Sequence, residues 1–481
     1  MRRTVLNGAA LASMLLIAGP PAMAASTLAA GSGAPFSNYQ PSLALNQSFD
    51  LQGIFPANSS GGLTDGATHY NLGMIRTWAT GYTPGGQNAD GRLLGVTQYP
   101  ATYAIIGGEY GGNGTNAYAA PNLGGATIVG ASAPGGQGAL VGYQVAQTLG
   151  SPTVALSVSQ LPPHSHTLPG GGSTGVTGGG TPIDQLEPSV TMTYLIAGGG
   201  VYPGQGSAVS IGQVAAFAGG FVPLGWRPAD GSILNIADNP VLFGIIGDTF
   251  GGDGITTFAL PDLRGRTVVG VGAGPGLAPV TLGETFGASS TVLTLGQMAA
   301  HDHGLAGGGA TGVTGGATPV SNQQPSIGLN YLVAVTGVFP DRDFVADPEV
   351  STLGEIITVA DNIVPNGYLP ADGRLLSVSQ NQALFSLFGT TYGGDGVRTF
   401  ALPDLRGRDV VGVSQGQGPT LGQAFGTEST VLTEANLPVH DHTLTAVPEP
   451  STWTLLLLGV GLAGAGLRRR ARRGRMSIES C

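Results

Sequence analysis

The sequence contains no lysine, a single cysteine and few charged side chains. Charged residues make up 10% of the 481 positions, and all 18 basic residues are arginine. Eight arginines lie close to the two ends, so the chain between them is strongly acidic. An acidic surface repels phosphate backbones, which excludes nucleic acid as a partner. Cys481 is the only cysteine, so no internal disulfide can form. Stability must therefore come from packing or from a metal.

Glycine is as abundant as charge is scarce. The 84 glycines predict many turns and close backbone approaches in place of long surface helices. We therefore expect an α+β, β-rich fold of short strands, with one short helix in each repeat and long glycine-rich loops.

The N-terminus has the three parts of a secretory signal peptide. Arg2 and Arg3 precede an apolar run, and Ala22-Met23-Ala24 forms a small-residue cleavage site. The run is shorter than the roughly 20 residues that span a bilayer. Residues 1–24 are thus predicted to be removed during export across the inner membrane, with cleavage after Ala24 or Ala25.

The C-terminus has a second tripartite signal. Pro448, Glu449 and Pro450 precede an apolar stretch, Trp453 to Leu467, and then a cluster of arginines that should stay in the cytoplasm. This tail resembles the PEP-CTERM sorting signal of Gram-negative bacteria that make exopolysaccharide. The resemblance implies a precursor held transiently in the inner membrane by a transmembrane helix, then cut by an exosortase-type enzyme and released or retained outside. A plain C-terminal anchor is the alternative.

Between these ends one unit occurs three times. TFALPDLRGR occupies both Thr257 to Arg266 and Thr399 to Arg408, whereas the first copy reads AYAAPNLGGA from Ala117 to Ala126. Each unit opens with an alternating apolar segment that predicts a half-buried strand, namely Leu72 to Ala79, Ile211 to Ala218 and Leu353 to Ala360. A short helix with a glycine C-cap is predicted next, over Tyr99 to Gly107, Pro240 to Gly247 and Gln382 to Gly389.

A glycine-rich loop follows each helix, and an HxH pair follows each LPDLRGR-like segment. The loops contain Asn113, Asp253 and Asp395. One carboxylate is too few for a calcium loop, so a turn is favoured. This order of motifs resembles the phage tail collar family, with copies two and three matching best. The resemblance implies a tail-fibre-like surface protein.

The repeats are circularly permuted. Gln40 to Pro56 (QPSLALNQSFDLQGIFP) parallels Gln324 to Pro340 (QPSIGLNYLVAVTGVFP), an element that the third unit lacks at its own end. We expect this N-terminal segment to complete the third unit and close three tandem domains with pseudo-threefold symmetry; a leftover duplication is the alternative. The predicted segments are a signal peptide (1–24), the completing segment (25–67), a degenerate repeat 1 (68–206), repeat 2 (207–347), repeat 3 (348–446), the sorting signal (447–475) and a tail (476–481).

Six of the seven histidines form the three HxH pairs: His164, His166, His301, His303, His440 and His442. Residues two apart on a strand face the same side, so each pair can direct two imidazoles at one point. Phage short tail fibres with related tips bind one metal through HxH pairs from three chains. That resemblance implies a six-histidine site for iron or zinc, formed here within a pseudo-trimeric monomer or in a homotrimer. Six nitrogen ligands disfavour structural zinc, which prefers four. Packing alone is the alternative.

No nucleophile elbow or paired carboxylates accompany the histidines, so we predict a protein that is not an enzyme. The predicted function is a secreted or cell-surface structural or binding protein that is associated with exopolysaccharide. A glycan-binding adhesin is the alternative, with Trp78, Trp226, Tyr82 and Tyr202 as aromatic candidates. A metal-dependent hydrolase using Asp302 or Asp441 is disfavoured, because a full ligand shell leaves no position for water.

Overall fold

The computed structural model describes residues 26–51, 53, 55–56, 71–81, 83, 88–132, 142–203, 209–306, 308–340, 351–413 and 418–444. The two predicted targeting signals, and Tyr82, lie outside these residues. Among the described residues there are three α-helices: α1 Pro100–Ile106, α2 Pro240–Ile246 and α3 Gln382–Phe388.

The strands of the described residues are, in chain order, β1 Phe36–Ser37, β2 Ser42–Phe49, β3 Met74–Trp78, β4 Leu93–Gly95, β5 Ala117–Ala119, β6 Thr127–Gly130, β7 Thr148–Leu149, β8 Thr153–Val154, β9 Ile183–Asp184, β10 Ser189–Ala197, β11 Gln213–Phe217, β12 Trp226–Pro228, β13 Ile233–Asn235, β14 Thr257–Ala259, β15 Thr267–Gly270, β16 Thr285–Phe286, β17 Ser290–Thr291, β18 Val320–Ser321, β19 Ser326–Ala334, β20 Glu355–Val359, β21 Tyr368–Pro370, β22 Leu375–Ser377, β23 Thr399–Ala401, β24 Asp409–Gly412, β25 Ala424–Phe425 and β26 Ser429–Thr430. The β-rich α+β fold class is confirmed.

The helices begin and end as their sequences predict. Pro100 and Pro240 occupy the first turn of α1 and α2, where a missing N–H costs nothing. Gly107, Gly247 and Gly389 follow the three helices with φ of 55°, 61° and 53°, in the left-handed region that favours glycine. Each helix packs its inner face on an apolar cluster.

The three opening strands meet at the centre of the molecule. β3, β11 and β20 pair with one another in all three combinations, each pair antiparallel, and so form a closed triangle. Nearly every residue of these strands is buried, including Trp78 at 1% exposure. The prediction of half-buried strands is wrong, because the other units cover the face that alternation assigned to solvent.

A long strand completes each unit. β10 pairs in parallel with β6 and antiparallel with β7, and β19 makes the same two pairings with β15 and β16. β2, from the N-terminal segment, makes them with β24 and β25 of the third unit. The N-terminal strand therefore occupies in the third unit the position that β10 and β19 occupy in the first two.

Short antiparallel strand pairs connect each unit to the next around the axis. β9 from the first unit pairs with β17 of the second, β18 of the second pairs with β26 of the third, and β1 pairs with β8 of the first. Each unit thus contacts the next, and the third contacts the first. This cyclic arrangement has the pseudo-threefold relation that the repeats predict, and it surrounds a common axis.

Candidate metal centre

Each HxH segment follows a leucine or methionine that anchors it at the axis. Leu161, Met298 and Leu437 are fully buried in one apolar cluster to which all three units contribute. Because these anchors meet, the segments that follow them begin close together. The histidines three and five positions later are therefore brought to one place.

A second backbone segment pairs with each HxH segment. His164 exchanges two backbone hydrogen bonds with Thr177, and His301 does so with Thr314, each within its own glycine-rich hairpin. The third unit has no such hairpin in the described residues. There, His440 exchanges both bonds with Ala30 from the N-terminal segment.

The six imidazoles form one buried cluster. Each histidine is at most 5% exposed, and neighbouring ring centroids lie 4.7 to 5.6 Å apart. Ligand nitrogens within 4.8 Å of one another define two overlapping groups of four histidines. The structure thus brings together within one chain all six residues predicted from the sequence.

Every ring is oriented by a backbone carbonyl at Nδ1. The Nδ1 atoms of His164, His301 and His440 lie 2.9 to 3.0 Å from the carbonyl oxygen two residues earlier. Those of His166, His303 and His442 lie 2.8 to 2.9 Å from the carbonyls of Gly312, Leu28 and Gly175. A carbonyl can only accept, so Nδ1 carries the proton and Nε2 presents a lone pair.

Most of the Nε2 lone pairs accept no hydrogen bond from the described residues. Four Nε2 atoms, those of His164, His166, His303 and His442, have no hydrogen-bond partner among the described residues. The remaining two, of His301 and His440, face each other at 3.1 Å. Two lone pairs at that distance repel unless a proton or a metal ion lies between the rings. The cluster therefore has the donor set of a transition-metal site.

The electrostatics favour neutral rings. Burial, followed by the influence of the neighbouring histidines, lowers the pKa of His164 to about 4 and that of His301 to about 3. Burial also lowers the pKa of His303, His440 and His442. Neutral imidazole is the form that binds metals, so a metal ion does not have to displace protons from these rings at neutral pH.

The N-terminal strap, residues 26–34, supplies the part of the site that the third unit lacks. The backbone N–H of His442 donates to Thr27 Oγ1, and the Nδ1 of His303 pairs with Leu28 O. In the hairpins, Thr174 and Thr311 accept from His166 and His303 in the same way. Sequence reasoning missed the strap, although STLAAGSG at Ser26 to Gly33 resembles STGVTGGG at Ser173 to Gly180.

Other candidate residues lie apart from this cluster. Asp302 and Asp441 are exposed and absent from both four-histidine groups. The loop residues Asn113, Asp253 and Asp395 each accept three backbone N–H bonds from the residues two to four positions later, which confirms the turn interpretation. Trp78 and Trp226 are buried, so neither can stack on a sugar, whereas Tyr202 is 46% exposed.

Comparison with known families assigns the repeats and the tail. The Phage Tail Collar Domain matches residues 73–128, 212–268 and 354–410, and the PEP-CTERM protein-sorting motif matches residues 446–470. No curated protein and no solved structure gives a significant match.

The described residues contain no helix that is long and apolar enough to span a membrane, and the predicted transmembrane segment lies outside them. The sorting motif supports export and a surface or extracellular location. The chain carries three phage tail collar domains followed by a PEP-CTERM protein-sorting motif.

Proposed function

We propose that this protein is a non-enzymatic structural component of the cell surface or the extracellular matrix, with three collar domains locked around one transition-metal ion. The observation that carries the proposal is the convergence of six Nε2 lone pairs whose rings are all fixed by backbone carbonyls. An arrangement of this kind orients ligands before the metal arrives.

The proposed ion is one that accepts six nitrogen ligands, such as Fe(II), in preference to structural zinc with its four ligands. Its role is structural, because six imidazoles leave no coordination position for a substrate or for a reactive water. The ligands come together only in the folded chain, so binding energy becomes folding stability. This matters in a protein whose single cysteine cannot form an internal disulfide.

The proposed site is complete in a monomer. The phage tail fibres that the HxH pairs resemble gather such pairs from three chains, whereas here the three pairs belong to one chain and face one another. We therefore propose one metal ion per chain, not one per homotrimer. The unit boundaries predicted above remain part of this proposal, with residues 25–67 assigned to the third unit.

The proposed route is export, transient retention in the inner membrane and cleavage by an exosortase-type enzyme near Pro448, Glu449 and Pro450. His442, the last ligand, lies only six positions before Pro448. Nearly the whole chain must therefore cross the membrane before the site can form. We propose that metal loading takes place outside the cytoplasm, in surroundings rich in extracellular polysaccharide.

Native mass spectrometry combined with elemental analysis of the full chain, purified in mild detergent, tests this function. We expect a monomer with one transition-metal ion. A trimer with one ion would contradict the intrachain site, and a stable metal-free monomer would assign the histidines to packing. Binding to a glycan array that survives removal of the metal would instead favour the adhesin.

A further inference from the structure

A second cluster of buried polar groups surrounds the same axis, at the start of the long strands. Three sets of equivalent positions form this axial polar cluster, and each of its nine side chains is at most 2% exposed. They are Gln40, Glu187 and Gln324; Ser42, Ser189 and Ser326; and Thr127, Thr267 and Asp409.

The local backbone shows that these positions are equivalent. Ser42, Ser189 and Ser326 each donate Oγ to the carbonyl oxygen two residues earlier, at 2.7 to 2.8 Å. Asp409, Thr127 and Thr267 each donate their backbone N–H to the proline carbonyl that precedes one of these serines. The three units thus build the same scaffold three times around the axis.

The side chains meet across the axis. Thr127 Oγ1 and Thr267 Oγ1 lie 3.1 Å apart, and Gln324 Nε2 donates to Glu187 Oε1 at 2.8 Å. Ser326 Oγ lies 3.4 Å from Gln40 Oε1. Asp409 lies close to Glu187, Gln40 and Thr127. The nine groups therefore form one connected cluster of oxygen-bearing side chains.

Two substitutions break the symmetry of this cluster, and both introduce a carboxylate. Glu187 stands where the other units have glutamine, and Asp409 stands where they have threonine. Both oxygens of Asp409, together with Glu187 Oε2, Gln324 Oε1 and the amide donor Gln40 Nε2, make no hydrogen bond of ordinary length and angle among the described residues. Neither carboxylate takes part in an ion pair within the same residues.

Uncompensated carboxylates are costly at such depth. Burial is the main cause that raises the pKa of both Glu187 and Asp409, and the proximity of Asp409 raises the pKa of Glu187 further. A single shared proton would still leave one negative charge without a counterion. A divalent cation would neutralise both and use the oxygens that hydrogen bonds leave free.

We propose that the axial polar cluster binds one hard divalent cation, of the Ca²⁺ type, between Glu187 and Asp409. Carboxylate, amide and hydroxyl oxygens are the donors that such ions prefer, whereas the six imidazoles suit a transition metal. The cluster offers two carboxylates, the amide oxygens of Gln40 and Gln324, and the hydroxyls of Thr127 and Thr267. The ion is enclosed during folding, because every donor is buried.

The repeats themselves supply the test variant. Glu187→Gln with Asp409→Thr places at both positions the residues that the other units already carry, so the double variant should fold. The full chain and the double variant are unfolded, refolded in metal-depleted buffer with or without millimolar Ca²⁺, and compared by elemental analysis and thermal unfolding.

We expect one Ca²⁺ per wild-type chain and a rise of about 4 °C or more in Tm. The double variant should bind none, show no shift, and unfold at a higher temperature than the wild type in the absence of Ca²⁺. A wild type that binds neither Ca²⁺, Mg²⁺ nor Mn²⁺ would overturn the proposal. Stability that falls as pH rises in the wild type alone would then assign a shared proton to the pair.

The Ca²⁺ experiment also distinguishes the axial polar cluster from the histidine site. His301→Ala leaves all nine oxygen-bearing side chains in place, so its Ca²⁺ shift should equal that of the wild type. Loss of the shift in this variant would overturn the assignment of Ca²⁺ to the oxygen cluster. Loss of the transition metal with an unchanged Ca²⁺ shift would separate the two sites.

Discussion

The two polar clusters on the pseudo-threefold axis differ in symmetry. In the histidine cluster all three units contribute the same HxH pair, whereas in the axial polar cluster one glutamine is replaced by Glu187 and one threonine by Asp409. A symmetric ring of neutral donors suits an ion whose ligands are all alike. The axial polar cluster is asymmetric because two of its positions carry carboxylates. It therefore differs from the histidine cluster in the charge of its side chains.

Removing one imidazole should have the largest effect on metal content and stability. His301→Ala deletes the ring whose Nε2 faces that of His440 at 3.1 Å. We expect less than one transition-metal ion per chain and a free energy of unfolding lowered by about 4 kcal/mol or more, since a tightly bound ion stabilises the folded state by that amount. Urea unfolding with metal analysis measures both.

His69→Ala is the matched control, because His69 is the one histidine outside the three HxH pairs. It should keep the wild-type metal content. If His301→Ala also kept its metal and its stability, the ring would be a packing feature and the two clusters would not differ in kind.

Deleting the N-terminal strap should be the next largest change. Residues 26–34 hold His303 through Leu28 O and His442 through Thr27 Oγ1. Loss of such outer partners typically lowers metal affinity about 10- to 100-fold, and we expect a loss of that size here. Competition with a chromogenic chelator measures the affinity. All six ligands remain, so the stoichiometry should stay at one ion per chain when metal is in excess.

Ser32→Ala provides the control for the strap. Its Oγ makes an exposed hydrogen bond to Ala435 O, away from the histidines. The affinity should not change in this variant. An equal loss in the control and the deletion would show that the strap acts through general stability and not through the orientation of His303 and His442.

Acidification should separate the clusters by the sign of its effect. In metal-free protein burial lowers the pKa of His164 to about 4 and that of His301 to about 3. Their contribution to stability is complete above the unfolded value of about 6.5 and is lost as pH falls toward 4. We expect the free energy of unfolding to drop by at least about 3 kcal/mol between pH 7 and pH 4, because each of these two rings alone contributes about that amount.

The carboxylates act in the opposite direction, because the pKa values of Glu187 and Asp409 are raised on folding. Without a cation, their contribution improves as pH falls. Urea unfolding in EDTA at several pH values should therefore show a steeper acid loss in the Glu187→Gln, Asp409→Thr variant than in the wild type. Identical slopes would mean that the two carboxylates do not titrate as buried groups.

Much of this architecture is visible in the sequence because the chain repeats itself. The identical TFALPDLRGR segments and the QPS motif at Gln40 and Gln324 predict three units and the placement of β2. Residues two apart on a strand predict the convergence of each HxH pair. The family match covers residues 73–128, 212–268 and 354–410, where the repeats are most alike.

What the sequence did not predict depends on contacts between units. Arg76 in the middle of β3 is a charged residue that the sequence alone places at a surface, but it is buried against Glu355 of the third unit at 2.8 Å. The axial polar cluster was missed because Glu187, Gln40 and Asp409 are isolated polar residues along the chain and meet only when the ring closes. The N-terminal strap was missed because its weak likeness to the hairpins is short and rich in small residues.

The smallest effect is expected where symmetry is broken at the surface. The Asp404–Arg406 pair of the third unit, at 2.7 Å and with the Arg406 side chain 35% exposed, corresponds to Asn122 and Gly124 in the first unit. Asn122 Oδ1 still accepts the N–H of Gly124, as Asp404 accepts that of Arg406. Asp404→Asn with Arg406→Gly should therefore keep the turn and cost at most about 1 kcal/mol of unfolding free energy in urea.

Metal content at both clusters should be unchanged in this variant. A loss comparable to that of His301→Ala would mean that the ion pair, and not the turn, holds the third unit against the second through the Gly270 and Arg406 bridge. The two cases differ in solvation. Water solvates Asp404 and Arg406 at the surface, so their loss costs little. Glu187 and Asp409 are buried at the axis, where only a bound ligand can compensate their charge.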